Sequence, residues 1–224
     1  MTKTSTIRKL AAIGFLCFGT FFHVQAQSLA QQGTSVEDIV PAGWLHHEAT
    51  GDLNKDGIAD LVVVATPDFQ ENLKTRDDGY VYNFNQPVLA IYFGTQQGQQ
   101  RLWKQYGNVI PANETENCSH EVSLEITSRG TLRIAIGLFC SAGSYGTSTD
   151  TYTYRYQNGD FFLIGMDREE MMRNTGECTT VSENYLTWKR QVKKSNAFDD
   201  TAPDTEEWSR LKKRPLEKLG AREL

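Results

Sequence analysis

The sequence predicts a mainly β protein, built of antiparallel sheets joined by hairpins and containing little helix. Three observations carry this expectation. Apolar or alternating runs of strand length recur along the chain, at Leu61 to Ala65, Val88 to Phe93, Val122 to Ile126 and Leu132 to Ile136. Turn residues separate them, among them Gln96-Gln97-Gly98, Arg129-Gly130 and Asn158-Gly159. No long stretch repeats its apolar residues at helical spacing.

Taken in order, the chain opens with a targeting pattern. Lys3, Arg8 and Lys9 precede the apolar run Leu10 to Phe22, and Val24-Gln25-Ala26 has the small-x-small form of a cleavage site. Residues 1–26 are therefore expected to be a signal peptide, with the mature chain in the periplasm or secreted. The run is shorter than the roughly 18 apolar residues of a membrane span, so no transmembrane segment is expected in the mature chain. Cys17 follows Phe15-Leu16, whereas a lipid-anchor signal needs a small residue directly before its cysteine.

Residues 27–35 are polar and expected to be flexible, residues 36–195 form the β-rich domain, and residues 196–224 read as a polar tail. Within the domain, Val36 to Val40 leads into a turn at Pro41-Ala42-Gly43, and Trp44 to Ala49 is a short strand. Leu61 to Ala65 is continuously apolar, the pattern of a strand buried on both faces. Residues 67–86 form a surface loop turning at Asp77-Asp78-Gly79. Val88 to Phe93 returns through Arg101 to Lys104, and Val122, Leu124 and Ile126 alternate with Ser123 and Glu125 before the turn into Leu132 to Ile136. Thr151 to Tyr156 pairs across Asn158-Gly159 with Phe161 to Ile164. Asp167 to Arg173 reads as a short helical turn, and Leu186 to Val192 as a further strand.

Charge excludes one class of partner. The whole chain has 23 basic and 28 acidic residues, a formal charge of −5. Residues 1–26 hold three basic residues and no acidic one, so the mature part falls to −8. Such a surface repels phosphate backbones, and nucleic acid is not expected as a partner. The mature length suffices for one domain with a sizeable core. It keeps Cys118, Cys140 and Cys178, and an oxidising compartment permits one bridge. Cys118 and Cys140 flank two strand-like runs, which makes them a candidate pair across neighbouring strands; a bridge from Cys178 to either stays open.

The strongest motif is Asp52-Leu53-Asn54-Lys55-Asp56-Gly57-Ile58-Ala59-Asp60. A hard divalent cation takes six to eight oxygens, and short acidic side chains at alternate positions of a tight loop converge on one point. Asp52, Asn54, Asp56 and Asp60 stand at relative positions 1, 3, 5 and 9. Gly57 at position 6 allows the sharp turn, and Ile58 at position 7 offers its carbonyl. Position 12 is Val63 in place of the bidentate glutamate, and no helix flanks the loop, so a helix–loop–helix EF-hand is not expected.

Residues 51–65 as a whole, the loop plus the strand after it, resemble an FG-GAP (VCBS-type) calcium unit. That resemblance implies calcium as cofactor, held by Asp52, Asn54, Asp56, Ile58 and Asp60 between strands of a propeller blade; the strand pattern itself leaves a blade-like or a sandwich-like arrangement of the sheets open. The motif occurs once, which argues against a complete propeller. Ile39 to Trp44, the loop, Val88 to Phe93, Tyr152 to Phe162 and Asn184 to Thr187 also resemble uncharacterised exported bacterial proteins that carry a single GDLNxDGxxD segment.

Other motifs weigh less. Ala142-Gly143-Ser144-Tyr145-Gly146 mimics a nucleophile elbow, but strand-like residues follow it and no histidine lies after Ser144. His46 and His47 are adjacent on a strand and point to opposite faces, which does not suit one metal. Tyr152, Tyr154 and Tyr156 share a strand face, where hairpin packing is the simpler reading. No catalytic constellation emerges. The expected function is a calcium-stabilised envelope module that binds a protein or a glycan, with an envelope hydrolase carrying a structural calcium loop as the alternative.

Overall fold

The computed structural model describes residues 28–224; the expected targeting segment, with Cys17, lies outside the described residues. Every strand pairing in the described residues is antiparallel. The first half of the chain supplies β1 (Gln32–Gly33), a one-turn helix α1 (Val36–Ile39), β2 (Leu45–Gly51), β3 (Asp60–Thr66), β4 (Leu73–Thr75), β5 (Val81–Asn83), β6 (Val88–Gly94) and β7 (Gln100–Tyr106). β2, β3, β6 and β7 form a four-stranded meander, the strand number of a propeller blade, and β1 joins its far edge beside β7. β4 and β5 stand apart as a small hairpin within the polar stretch 67–86.

The second half is an uninterrupted meander of seven strands. These are β8 (Cys118–Ile126), β9 (Thr131–Cys140), β10 (Gly146–Gln157), β11 (Asp160–Met172), β12 (Glu177–Asn184), β13 (Lys189–Asn196) and β14 (Thr205–Arg210). This sheet curls into a half-barrel. Asn158 and Gly159 both take positive φ, 52° and 78°, which is what a two-residue hairpin turn with the twist of its strands demands.

The two sheets enclose one shared core. Val62, Val64, Leu89 and Ile91 of the first sheet meet Leu132, Ile134, Tyr154, Phe161 and Leu163 of the second. Phe93 and Trp103 reach across to Tyr156 and Phe161, with ring centroids 5.1–5.9 Å apart. The opposite face of β3, through Leu61, Val63 and Ala65, is covered by Leu29, Val36, Ile39, Val40 and Trp44. β3 is thus buried on both faces, which explains its continuous apolar run. Tyr152 and Tyr154 point into the core and are buried.

Both ends of the described chain are built into this body. In the segment expected to be flexible, Leu29 is buried and the backbone N–H of Ala30 donates to the Ile39 carbonyl. In the segment expected as a tail, β14 extends the large sheet. The chain then runs back so that Leu219 donates to Phe161, Leu163 to Glu217 and Leu224 to Val109, each at 2.8–2.9 Å. Leu219 is 2% exposed, and Leu211, Leu216 and Leu224 pack on the main core. The leucines sit at irregular spacing among charged residues, so no periodicity announces them.

Two local expectations are corrected. Asp167 to Arg173 is not a helical turn: β11 continues to Met172, paired with β10 and β12, and the Arg168–Asp150 ion pair locks the strands together. The strand expected from Leu186 begins at Lys189. The Asn184 side chain accepts from the N–H groups of Leu186 and Thr187 at 3.0 and 2.9 Å, which holds residues 185–188 in a turn. No helix among the described residues is long and apolar enough to cross a membrane.

Candidate metal centre

The acidic loop is the connection of the β2–β3 hairpin, closed by the pairing of Gly51 with Asp60. Its side chains wrap its own backbone. The Asp52 carboxylate accepts from the N–H groups of Asp56 and Gly57 at 3.2 and 2.9 Å. Asn54 Oδ1 accepts from the Asp56 N–H at 3.0 Å, and its Nδ2 donates to Asp56 Oδ2 at 3.0 Å. Asp56 Oδ1 accepts from the Ile58 N–H at 2.8 Å. Two left-handed positions make this tight path possible, Lys55 at φ 64° and Gly57 at φ 84°.

Asp60 differs from the other three in place and role. It opens β3 and is fully buried. Its Oδ2 accepts from the N–H groups of Leu53 (2.8 Å) and Asn54 (3.3 Å), and its Oδ1 from that of Gly94 on β6 (2.9 Å). Burial pushes its carboxyl above the usual range, the Gly94, Leu53 and Asn54 donors oppose that push, and the Asp56 charge adds to it. Asp60 therefore pins the loop to the sheet. Leu53, buried beneath the loop, belongs to the main core.

The loop also touches the second sheet. Gly130, in the β8–β9 turn, lies so close that a Cβ there would sit 2.7 Å from the Asp52 carbonyl oxygen. Arg129, Lys55 and Arg155 line the shallow groove of about 840 Å³ beside this contact. Gly94 and Gly130 were invisible as site residues in the sequence, because their part is played by a backbone N–H and by the lack of a side chain.

The donor set can be judged against a cation. All four side chains offer hard oxygens, and each keeps acceptor capacity beyond its N–H bonds, since a carboxylate has about four lone-pair sites and an amide oxygen two. That chemistry fits a divalent cation. The present geometry is not a preformed cage: among the described residues no three His, Cys, Asp or Glu side chains converge as a metal cluster.

The remaining sequence candidates fall elsewhere. Cys118 and Cys140 face each other across β8 and β9 and form a disulfide, and Cys178 is a half-buried free thiol. His46 and His47 are both exposed on β2, at the end of the sheet order. Ser144 sits in the bend before β10, where its hydroxyl accepts from the Gly146 N–H at 3.0 Å. His120, on β8, lines a cavity of about 470 Å³ together with Asp150 and Arg168. Its Nδ1 is buried there with no hydrogen-bond partner.

Comparison with curated proteins and with solved structures gave no match. Comparison with protein families gave one, covering β2, the acidic loop, β3 and the β4–β5 hairpin: residues 47–84 are similar to the FG-GAP repeat.

Proposed function

We propose that the chain acts outside the cytoplasm, in the periplasm or as a secreted protein, as a β-rich binding module of the cell envelope. In this reading calcium is its structural cofactor. Asp52, Asn54, Asp56 and the Ile58 carbonyl would hold the ion, and Asp60 would contribute from the sheet side. The bound ion supplies charge neutralisation to a loop that otherwise gathers three carboxylates within nine residues. The observation that carries the proposal is the coiling of this loop, in which the Asp52 carboxylate accepts from the Gly57 N–H five residues on.

The loop lies between the sheets, so an ion there is expected to stabilise the whole body. Calcium at a hundred times its dissociation constant would add about 2.7 kcal/mol to stability. Calorimetry of the purified protein tests this: Tm is expected to rise with calcium and fall with chelator. Unchanged melting together with no binding heat removes the metal from the proposal.

A binding role is favoured by where large apolar side chains meet solvent. Tyr80, Phe139 and Tyr145 are 58%, 46% and 64% exposed. An envelope hydrolase is the second reading, and its foothold is the cavity at His120. There Asp150 is engaged by Arg168 through two hydrogen bonds, which ties up that carboxylate.

A further inference from the structure

The β4–β5 hairpin leans towards the disulfide-tied end of β8 and β9, leaving a cleft of about 240 Å³ between them. Tyr80 and Tyr82 line one wall, with their rings edge to face at 4.8 Å. Phe139 lines the other. Phe139 is held in place from behind by Arg173, whose guanidinium lies 4.5 Å from the ring centroid. That guanidinium is itself fixed on the carbonyls of Cys140, Ser144 and Tyr145 at 2.6–3.2 Å. The floor is equally rigid, formed by the Cys118–Cys140 bridge and by the Ser141 N–H donating to the Asn117 carbonyl at 2.7 Å. Aromatic rings set on a stiff frame lose little entropy when something stacks on them.

Charge selects the kind of ligand. Arg76 is paired with Asp78 within the hairpin, and Lys74 with Glu116 across the cleft, so the charged groups there neutralise one another. Asn83 and Asn113 turn their amides to structural work, donating to the carbonyls of Pro67 and Asn83. Asn117 and Ser119 are exposed at the rim with neutral donors and acceptors, and the Ser141 hydroxyl beside them donates to the Asn117 carbonyl at 3.3 Å. Aromatic rings from two separate elements, with neutral hydroxyl and amide groups at the rim of a small cleft, suit an uncharged sugar, whose axial C–H face stacks on a ring while its hydroxyls hydrogen-bond at the rim.

We propose that this cleft binds an uncharged, equatorially substituted β-linked oligosaccharide, stacked between Tyr80 and Phe139. The proposal rests on the binding-module reading and gives that module a ligand class. Saturation-transfer NMR and titration calorimetry of the intact protein with cellotetraose and with N-acetylchitotetraose test it. Saturation is expected at the axial C–H protons of at least one of the two. Tyr80→Ala and Phe139→Ala, on separate elements, are each expected to weaken binding about tenfold or more. Circular dichroism of both variants checks that they remain folded. Binding that persists unchanged in both variants overturns the cleft while leaving a glycan-binding module intact. No binding of either oligosaccharide overturns the proposal and points the aromatic rim to a polypeptide partner. The calcium dependence of Tm, measured on the same samples, judges the metal reading independently of these outcomes.

Discussion

At the scale of single residues, Asp60 does more than its place in the acidic motif suggests. The pattern of alternate oxygens identifies it as one of several similar donors, yet three backbone N–H groups from two elements converge on it inside the protein. An Asp60→Asn substitution puts an amide NH2 against at least one of those donors. The expected cost is about 1–3 kcal/mol in urea denaturation in the presence of chelator. Asp38, within α1, gives a pH-dependent counterpart. Its carboxylate accepts from the Thr34 hydroxyl and from the N–H groups of Thr34 and Ser35. The Thr34 hydroxyl, foremost among these, holds its pKa below the usual value. A depressed pKa means the contribution is present above the unfolded-state value and is lost as pH falls through the lowered folded-state value. The protection of amides around α1, taken relative to their intrinsic exchange rates, is therefore expected to fall in that acidic window in the wild type, and Asp38→Asn to show the lower protection already at neutral pH.

Among the elements, strands with a clear pattern were legible and those shaped by partners were not. Leu61 to Ala65 reads as a buried strand because both of its faces are apolar, and it is one. The β8–β9 hairpin follows from the alternation at Val122, Leu124 and Ile126 together with Arg129-Gly130. The outer half of β11 is different, since Glu169, Glu170 and Met171 favour helix locally and only pairing on both sides makes them a strand. The acidic loop was legible as a motif, but its anchoring at Gly94 and its contact with Gly130 depend on chain segments far away in sequence. The disulfide belongs to this scale as well, because it closes the open end of β8–β9 across a separation of 22 residues. In the chain-entropy account a loop of that size is worth about 3 kcal/mol. Reduction under non-denaturing conditions, or a Cys118→Ala/Cys140→Ala double variant, is expected to lower stability by roughly that amount in guanidinium titrations.

For the whole molecule, the informative feature is how the ends are used. The N-terminal stretch covers the outer face of the small sheet, and the C-terminal stretch crosses back over the core between the sheets. Neither is announced by composition, because each places only a few apolar residues among polar ones. Leu219→Ala tests the C-terminal crossing: it removes a buried side chain that touches the main core, and a loss of about 2–5 kcal/mol is expected in thermal or urea denaturation. A loss below about half a kcal/mol would mean that the segment merely rests on the surface.

β14 closes the large sheet on one side, and all six of its residues are exposed. Its outward edge is a row of backbone amides and carbonyls that no other described strand pairs with, the kind of rim along which copies of a chain can add to one another. Glu206, Glu207 and Arg210 place charge along that rim, and the glutamates add to a chain that already carries net negative charge. Charged side chains on an open edge disfavour its pairing with a second copy of the same strand, so this rim is guarded by charge rather than by cover.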